Sequence, residues 1–118
     1  MEFTPLPNGD RAVVDLAKLQ DYCLNPHHQD GKHKARVFKS ALGVGPADAE
    51  WLRERILEAA SSRPAVLTAM TPFGILYVLD FVLTTDSGSA VVRSGWIARH
   101  GEDFPRLTTC YVKVGVKR

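Results

Sequence analysis

Ile75-Leu76-Tyr77-Val78-Leu79-Asp80-Phe81-Val82-Leu83-Thr84 is the stretch on which the fold turns. It is rich in β-branched and aromatic side chains, which suit a pleated, half-buried surface, and it reads as a strand. Asp86-Ser87-Gly88-Ser89 follows with the composition of a hairpin turn. Residues 90–99 then read as the returning strand. Before the central stretch, residues 65–70 form another strand candidate, set off by the turn Thr71-Pro72-Phe73-Gly74. Beyond it, His100-Gly101-Glu102-Asp103 turns the chain again and residues 106–114 close it. Connections this short join antiparallel neighbours, so the second half predicts a meander of four strands.

The first half carries helical spacing instead. Residues 1–10 hold Pro5, Pro7, Asn8 and Gly9 and read as an irregular arm, followed by the short extended piece Ala12-Val13-Val14. Asp15 can cap a helix over residues 16–24, with Leu16, Leu19 and Cys23 on one side and Tyr22 beside them. Asn25-Pro26 ends it, because the residue before proline is pushed out of the helical region. The spacing of Ala35, Phe38, Ala41 and Leu42 predicts a second helix over residues 31–42, with Asp30 as its candidate cap and Gly43 as its stop. Lys32, Arg36 and Lys39 fall on the opposite stripe, and Lys34 borders the buried face. Gly45-Pro46 opens a third helix whose inner stripe is Leu52, Ile56 and Ala59, with Trp51 beside it; it fades at Ser61-Ser62-Arg63-Pro64. The fold class is therefore α+β: three N-terminal helices packed on a C-terminal antiparallel sheet of four strands, in one domain over residues 1–118.

A chain of 118 residues, 45% hydrophobic and 24% charged, can build a core without disulfides or a metal. It has no apolar run of about 18 residues or more, hence no membrane span. The start Met-Glu-Phe-Thr-Pro-Leu-Pro lacks a basic segment and an apolar stretch. The expectation is a cytoplasmic protein, or a domain delivered into a target cytoplasm as part of a larger exported chain. Cys23 and Cys110 have no CxxC partner and read as reduced core residues, one in a helix and one in a strand.

Charge is segregated along the chain. The net value is only +2, yet residues 27–39 set Lys32, Lys34, Arg36 and Lys39 against Asp30 alone. Residues 105–118 carry Arg106, Lys113, Lys117 and Arg118 with no acid. Brought together by the fold, the two segments would make an anion-binding surface; apart, they are two solvated faces. The first segment also holds His27, His28 and His33, three of the four histidines. Imidazole titrates near neutral pH, so His28 and His33 are candidates for general acid–base work. Lys34 and Arg36, with Lys32 beside them, could hold a phosphate and stabilise charge in a transition state. Alternation along the last strand sets Leu107, Thr109, Tyr111 and Lys113 on one face and Thr108, Cys110, Val112 and Val114 on the buried one. The first row lines up a hydroxyl, a phenol and an ammonium suited to a phosphate; it also suits an ordinary solvated sheet face. Trp96 reads as core, with a base-stacking platform as the alternative. His100 reads as a turn residue. His27, His28, Asp30 and His33 match no zinc spacing, and the nearby cations oppose a divalent ion, so neither metal nor cofactor is expected. The carboxylates form no pair for glycoside hydrolysis, and no Walker loop, GxGxxG, GxSxG or HExxH is present.

One set of residues carries a resemblance. Asp21-Tyr22 with Leu24, then His28, Gly31, Lys34-Ala35, Phe38 and Leu42-Gly43 begin it. Phe73-Gly74 with Tyr77, Trp96, and Pro105-Arg106-Leu107 with Thr109 and Tyr111 complete it. The set resembles an uncharacterised family of small bacterial domains, found alone or as tails of polymorphic-toxin-like proteins, over residues 6–112. At fold level the order of elements is similar to the barnase, EndoU, colicin and RelE-like ribonucleases. That resemblance implies metal-independent RNA cleavage, with His28 and Lys34 facing Arg106, Thr109 and Tyr111. The chain departs from the pattern in having no second clear histidine on the sheet. The expected function is thus a ribonuclease or ribonuclease-like toxin domain. His28, Lys34, Thr109 and Tyr111 would be catalytic; Lys32, His33, Arg36, Arg106, Lys113 and Trp96 would bind substrate. The alternative is a non-catalytic module that binds an acidic protein or nucleic acid. RNA and a cognate immunity or antitoxin protein are the candidate partners.

Overall fold

A computed structural model describes residues 4–113. Val114, expected on the last strand, and the cations Lys117 and Arg118 lie outside these residues. Strand β1, Thr4–Pro5, and a 3₁₀ turn at Gly9–Arg11 replace the irregular arm expected at the N-terminus. Helix α1, Leu16–Lys18, runs on into a π-helical segment, Leu19–Cys23. Asp15 caps it as expected, its carboxylate accepting the Ala17 amide at 3.0 Å. Helix α2 spans Lys32–Leu42 and ends at Gly43, whose φ of 69° is the left-handed conformation that glycine tolerates. Helix α3, Ala49–Ser62, follows a 3₁₀ turn at Pro46–Asp48.

Strands β2 (Pro64–Thr71), β3 (Gly74–Thr85), β4 (Gly88–Arg99) and β5 (Pro105–Val112) form the expected antiparallel meander. β1 adds a fifth strand by pairing with β2 at two positions only, Thr4 with Ala65 and Pro5 with Pro64. The chain is α+β, helices first and sheet second. One sheet face packs on the helices: Leu79, Phe81, Val92, Trp96 and Val112 are buried there with Phe38 and Leu42 of α2 and Leu52 and Ile56 of α3. The Thr85 hydroxyl donates to the Leu42 carbonyl at 2.7 Å and fastens the end of α2 to the hairpin. Cys23 and Cys110 are both buried free thiols.

Three expectations need correction. Asp30 does not cap α2. Gly31 holds the N-cap position with no side-chain hydrogen bond. In the turn just before the helix, the imidazole Nδ1 of His28 accepts the amides of Asp30 at 2.9 Å and Gly31 at 3.0 Å. The simple alternation on β5 also fails. The pairing shifts between Gly95, opposite Thr109, and Trp96, opposite Leu107, so Thr108 is an extra residue in a bulge. Leu107 is consequently buried and Thr108 exposed, whereas Cys110 and Val112 point inward as expected. Finally, Trp96 is 1% exposed, and its indole N–H donates to the Ser94 hydroxyl at 2.8 Å. Ser94 in turn donates to the Leu79 carbonyl at 2.8 Å. A tryptophan sealed in the core has no face on which a base could stack.

Candidate functional site

The helix-free face of the sheet and the edge made by β5 meet the start of α2. Lys34 is on the first turns of α2, on the side toward the sheet, and its Nζ donates to the Tyr22 hydroxyl at 2.9 Å. The same ammonium lies 5.0 Å from the Tyr22 ring centroid and 5.9 Å from that of Tyr111 on β5. Tyr22 is carried by the π-helical segment, whose wider turn is a common way to displace a side chain from helical register. The phenol that accepts from Lys34, with Tyr111 nearby, holds the ammonium above its ordinary pKa, so Lys34 is a fixed cation at neutral pH.

Gly31 makes this approach possible. A Cβ there would run into the backbone carbonyl oxygen of Tyr22. The start of α2 and the π-helical segment can touch only because position 31 has no side chain. His28 seals the same corner, its ring edge-on to Tyr22 with centroids 5.0 Å apart. Because Nδ1 accepts two amides, the proton of the neutral ring sits on Nε2. The ring therefore has no free lone pair, which is what the expected general base needs. In this structure His28 holds the turn before α2 and packs on Tyr22.

A polar row crosses the sheet from this corner. Tyr111 stands opposite Arg93 on β4, and Arg93 opposite Asp80 on β3. Arg93 grips Asp80 with two hydrogen bonds, Nε to Oδ1 at 2.8 Å and Nη2 to Oδ2 at 2.9 Å, while Lys113 Nζ lies 3.5 Å from Asp80 Oδ2. Arg93 first and Lys113 second pull the Asp80 carboxyl below its usual range. Two cations thus share one carboxylate, and the row keeps an excess of positive charge. Thr109, on the same face and two residues from Tyr111, has a buried hydroxyl with no hydrogen-bond partner among the described residues. Behind the row, the neighbouring Cys110 thiol pulls Cys23 down, while Cys23 and burial push Cys110 up.

Of the expected site residues, Lys34 meets Tyr111, with His28 as support; Thr109 lies two residues before Tyr111 on β5, and Lys113 reaches Asp80. Arg106 does not join them. It sits at the far end of β5, where Glu102 accepts from it at 3.0 Å in two bonds and Phe104 lies 5.0 Å below the guanidinium. Its charge is already matched. Lys32, His33 and Arg36 lie elsewhere around α2: Arg36, two residues on from Lys34, faces nearly the opposite way. With Lys39 it rims an apolar cleft of about 410 Å³ lined by Leu24, Pro26 and Val44. Tyr22, Arg93 and Asp80 are additions that sequence reasoning missed. The hairpin itself held the clue to two of them. Counting five residues along each strand from the Thr85–Gly88 pair puts Asp80, the one charge of β3, opposite Arg93 of β4. Among the described residues no three His, Cys, Asp or Glu side chains gather as a metal site, and no helix is long and apolar enough to cross a membrane.

A helix-then-meander α+β domain with a cationic, phenol-lined corner at its β5 edge is the class that fold and site define. The chain belongs to the family described as "Domain of unknown function (DUF6883)", whose model matches residues 5–114. Among solved structures its fold is similar to a chain of the contact-dependent growth inhibition toxin–immunity protein complex from Klebsiella pneumoniae 342. The TM-score is 0.66 at 21% sequence identity, covering 86% of this chain and 99% of that one. A search of curated proteins finds no match.

Proposed function

We propose that this chain is a metal-independent ribonuclease domain of a bacterial toxin–immunity system. The observation that supports it most is the meeting of Lys34 with Tyr111, which joins the basic helix to β5. In this reading Lys34, which meets no carboxylate, holds the scissile phosphate and neutralises the charge that builds on it, while Arg93, paired with Asp80, fixes the row beside it. The ribose 2′-oxygen attacks phosphorus as its proton passes to a solvent water, and the bond from phosphorus to the 5′-oxygen breaks. The products are a 2′,3′-cyclic phosphate and a 5′-hydroxyl. Tyr111 is the group suited to protonate the leaving oxygen. Tyr22 and His28 orient Lys34. The fold shared with a chain from a toxin–immunity complex is consistent with this reading. The test is incubation of purified protein with total RNA in EDTA, alongside Lys34→Ala and Tyr111→Phe. Cleavage to cyclic-phosphate ends that both variants lose supports the proposal; intact RNA at high protein concentration refutes it.

A second reading has its own observation. The apolar cleft on α2, rimmed by Arg36 and Lys39, suits an apolar side chain flanked by carboxylates. It fits a non-catalytic module that binds an acidic partner. Salt-sensitive binding to an acidic partner, without any RNA product, favours this reading over the first.

A further inference from the structure

We infer that the cleft on α2 seats an apolar side chain of phenylalanine size, carried by a partner protein on an acidic segment; this rests on the reading of the chain as a binding module. The cleft measures about 410 Å³, within the roughly 300–1,000 Å³ of sites that seat ligands. Leu24 and Pro26 wall it on the connection into α2, Ala35 on the helix, and Val44 and Pro46 on the connection out. Leu24, Ala35 and Val44 are buried, so the floor belongs to the core. The far wall is tied down: the Val44 amide donates to the Phe38 carbonyl at 3.3 Å, and the Gly45 amide to the Asp48 carboxylate at 2.9 Å. A concavity held in this way needs little ordering when it is filled.

The lining decides what can enter. Apart from Ser40, its side chains are apolar or cationic, and none is aromatic. A nucleobase would bring ring nitrogens and carbonyls out of water and find no ring on which to stack. A hydrocarbon side chain carries no polar group that would need a partner there.

Charge selects what carries that side chain. Arg36 and Lys39 stand at the rim, and Lys32, one turn before Arg36, continues the same stripe. The stripe runs about 10 Å along the helix, at ~1.5 Å per residue. No acid occurs within Lys32–Leu42, and the ion pairs among the described residues involve none of the three cations. A small free acid answers one cation. Carboxylates on either side of an apolar residue, at about 3.3 Å per extended residue, answer the whole stripe. A second copy meeting this face with its own α2 would set cation against cation.

The probe is the peptide Glu-Asp-Phe-Asp-Glu, capped at both ends and titrated into ¹⁵N-labelled protein at low salt. The expected result is saturable shifts of the amides that line the cleft, with Kd on the order of 1 mM or tighter. The peptide with alanine in place of phenylalanine should bind about tenfold more weakly, because no ring leaves water. Gly45→Leu narrows the cleft without strain, since a Cβ at position 45 meets nothing within 4 Å and its φ of −129° suits any residue. It should weaken the phenylalanine peptide by about fivefold or more and leave the rest of the spectrum unchanged. Arg36→Glu, which leaves the cleft open, should weaken it by a similar factor, about fivefold. Equal binding of the two peptides would overturn the inference yet leave the binding-module reading standing, because the acids alone would account for the contact. No shifts with either peptide at about 5 mM would overturn both. Shifts centred on Lys34 and Tyr111 would overturn the inference, as would the same cleft shifts with a short single-stranded RNA or on concentrating the protein alone, which would make RNA or a second copy the occupant.

Discussion

The two ends of β5 carry the same ingredients, a cation beside an aromatic ring, yet only one is chemically open. At the Arg106 end the guanidinium is gripped by Glu102, four residues earlier, and rests on Phe104. Glu102 is held below its ordinary pKa by that arginine, and the pair is self-contained. At the Tyr111 end the cation comes from α2, the phenols come from β5 and the π-helical segment, and no carboxylate meets the ammonium. Local charge pairs within one turn tend to neutralise themselves. Here the cation without a carboxylate partner is assembled from segments distant in sequence, as Lys34, Tyr22 and Tyr111 are.

The largest expected effect tests that contrast directly. Lys34→Ala and Tyr111→Phe should each lower RNA cleavage by about 100-fold or more, the range for a phosphate clamp or a proton donor. Arg106→Ala should leave the rate within about threefold, because it removes an ion pair exposed to solvent. Initial rates on a labelled RNA of defined sequence measure all three. A loss at Arg106 equal to that at Lys34 would mean that the whole strand, and not one end, is the site.

Gly31→Ala should come next, acting on stability. The added methyl meets the Tyr22 carbonyl, so either α2 or the π-helical segment must move. Overpacking of this kind costs about 1–3 kcal/mol, read as a shift in the urea midpoint. The end of β5 at Arg106 should keep its amide exchange protection, while Lys34 and Tyr111 lose their mutual contact. An unchanged midpoint would show that the corner is slack.

How much of this was legible in the sequence follows from range. The central hairpin, the helical stripe of Phe38 and Leu42 and the cap at Asp15 are local patterns, and each appears where the residues put it. The β5 bulge is not local: it is set by how Gly95 and Trp96 meet the strand beside them, and a period-two count cannot see it. Leu107 is therefore inward and Thr108 outward, the reverse of what strict alternation predicts. The histidine-held turn was hidden too, since His28 looks like a free imidazole until two amides are seen to converge on Nδ1. Lys34 was recognisable as a helix residue bordering the core, but its phenolic neighbour Tyr22 depends on the π-helical turn, which no simple spacing rule announces.

A smaller effect separates a structural role from catalysis at His28. His28→Ala should destabilise the protein by about 0.5–1.5 kcal/mol, the usual net worth of a hydrogen bond. His28→Asn supplies another side-chain acceptor and should recover most of that stability. If His28 is only a positioning residue, RNA cleavage by the asparagine variant should stay within about fivefold of wild type and keep its pH profile. Loss of activity with full stability would return the histidine to a chemical role.

The smallest effect concerns the row of charges, and the sign decides where to look. Asp80 has a folded pKa below its unfolded value, owing first to Arg93 and then to Lys113. The stability it contributes is present above the ordinary carboxyl pKa of about 3.9 and is lost as pH falls through the lower folded value. Lys34 is the mirror case: its folded pKa is raised, so its contribution is present below about pH 10.4 and is lost as pH rises through the folded value. Asp80→Asn should therefore sit below wild type at neutral pH by roughly 1 kcal/mol or less, a difference that closes only at the acid end. Lys34→Met should show its gap closing only at the alkaline end. Urea midpoints taken at intervals between those limits resolve the two, and a gap for Asp80→Asn that persists to the acid limit would mean that Arg93 and Lys113 are held by packing and not by the carboxylate.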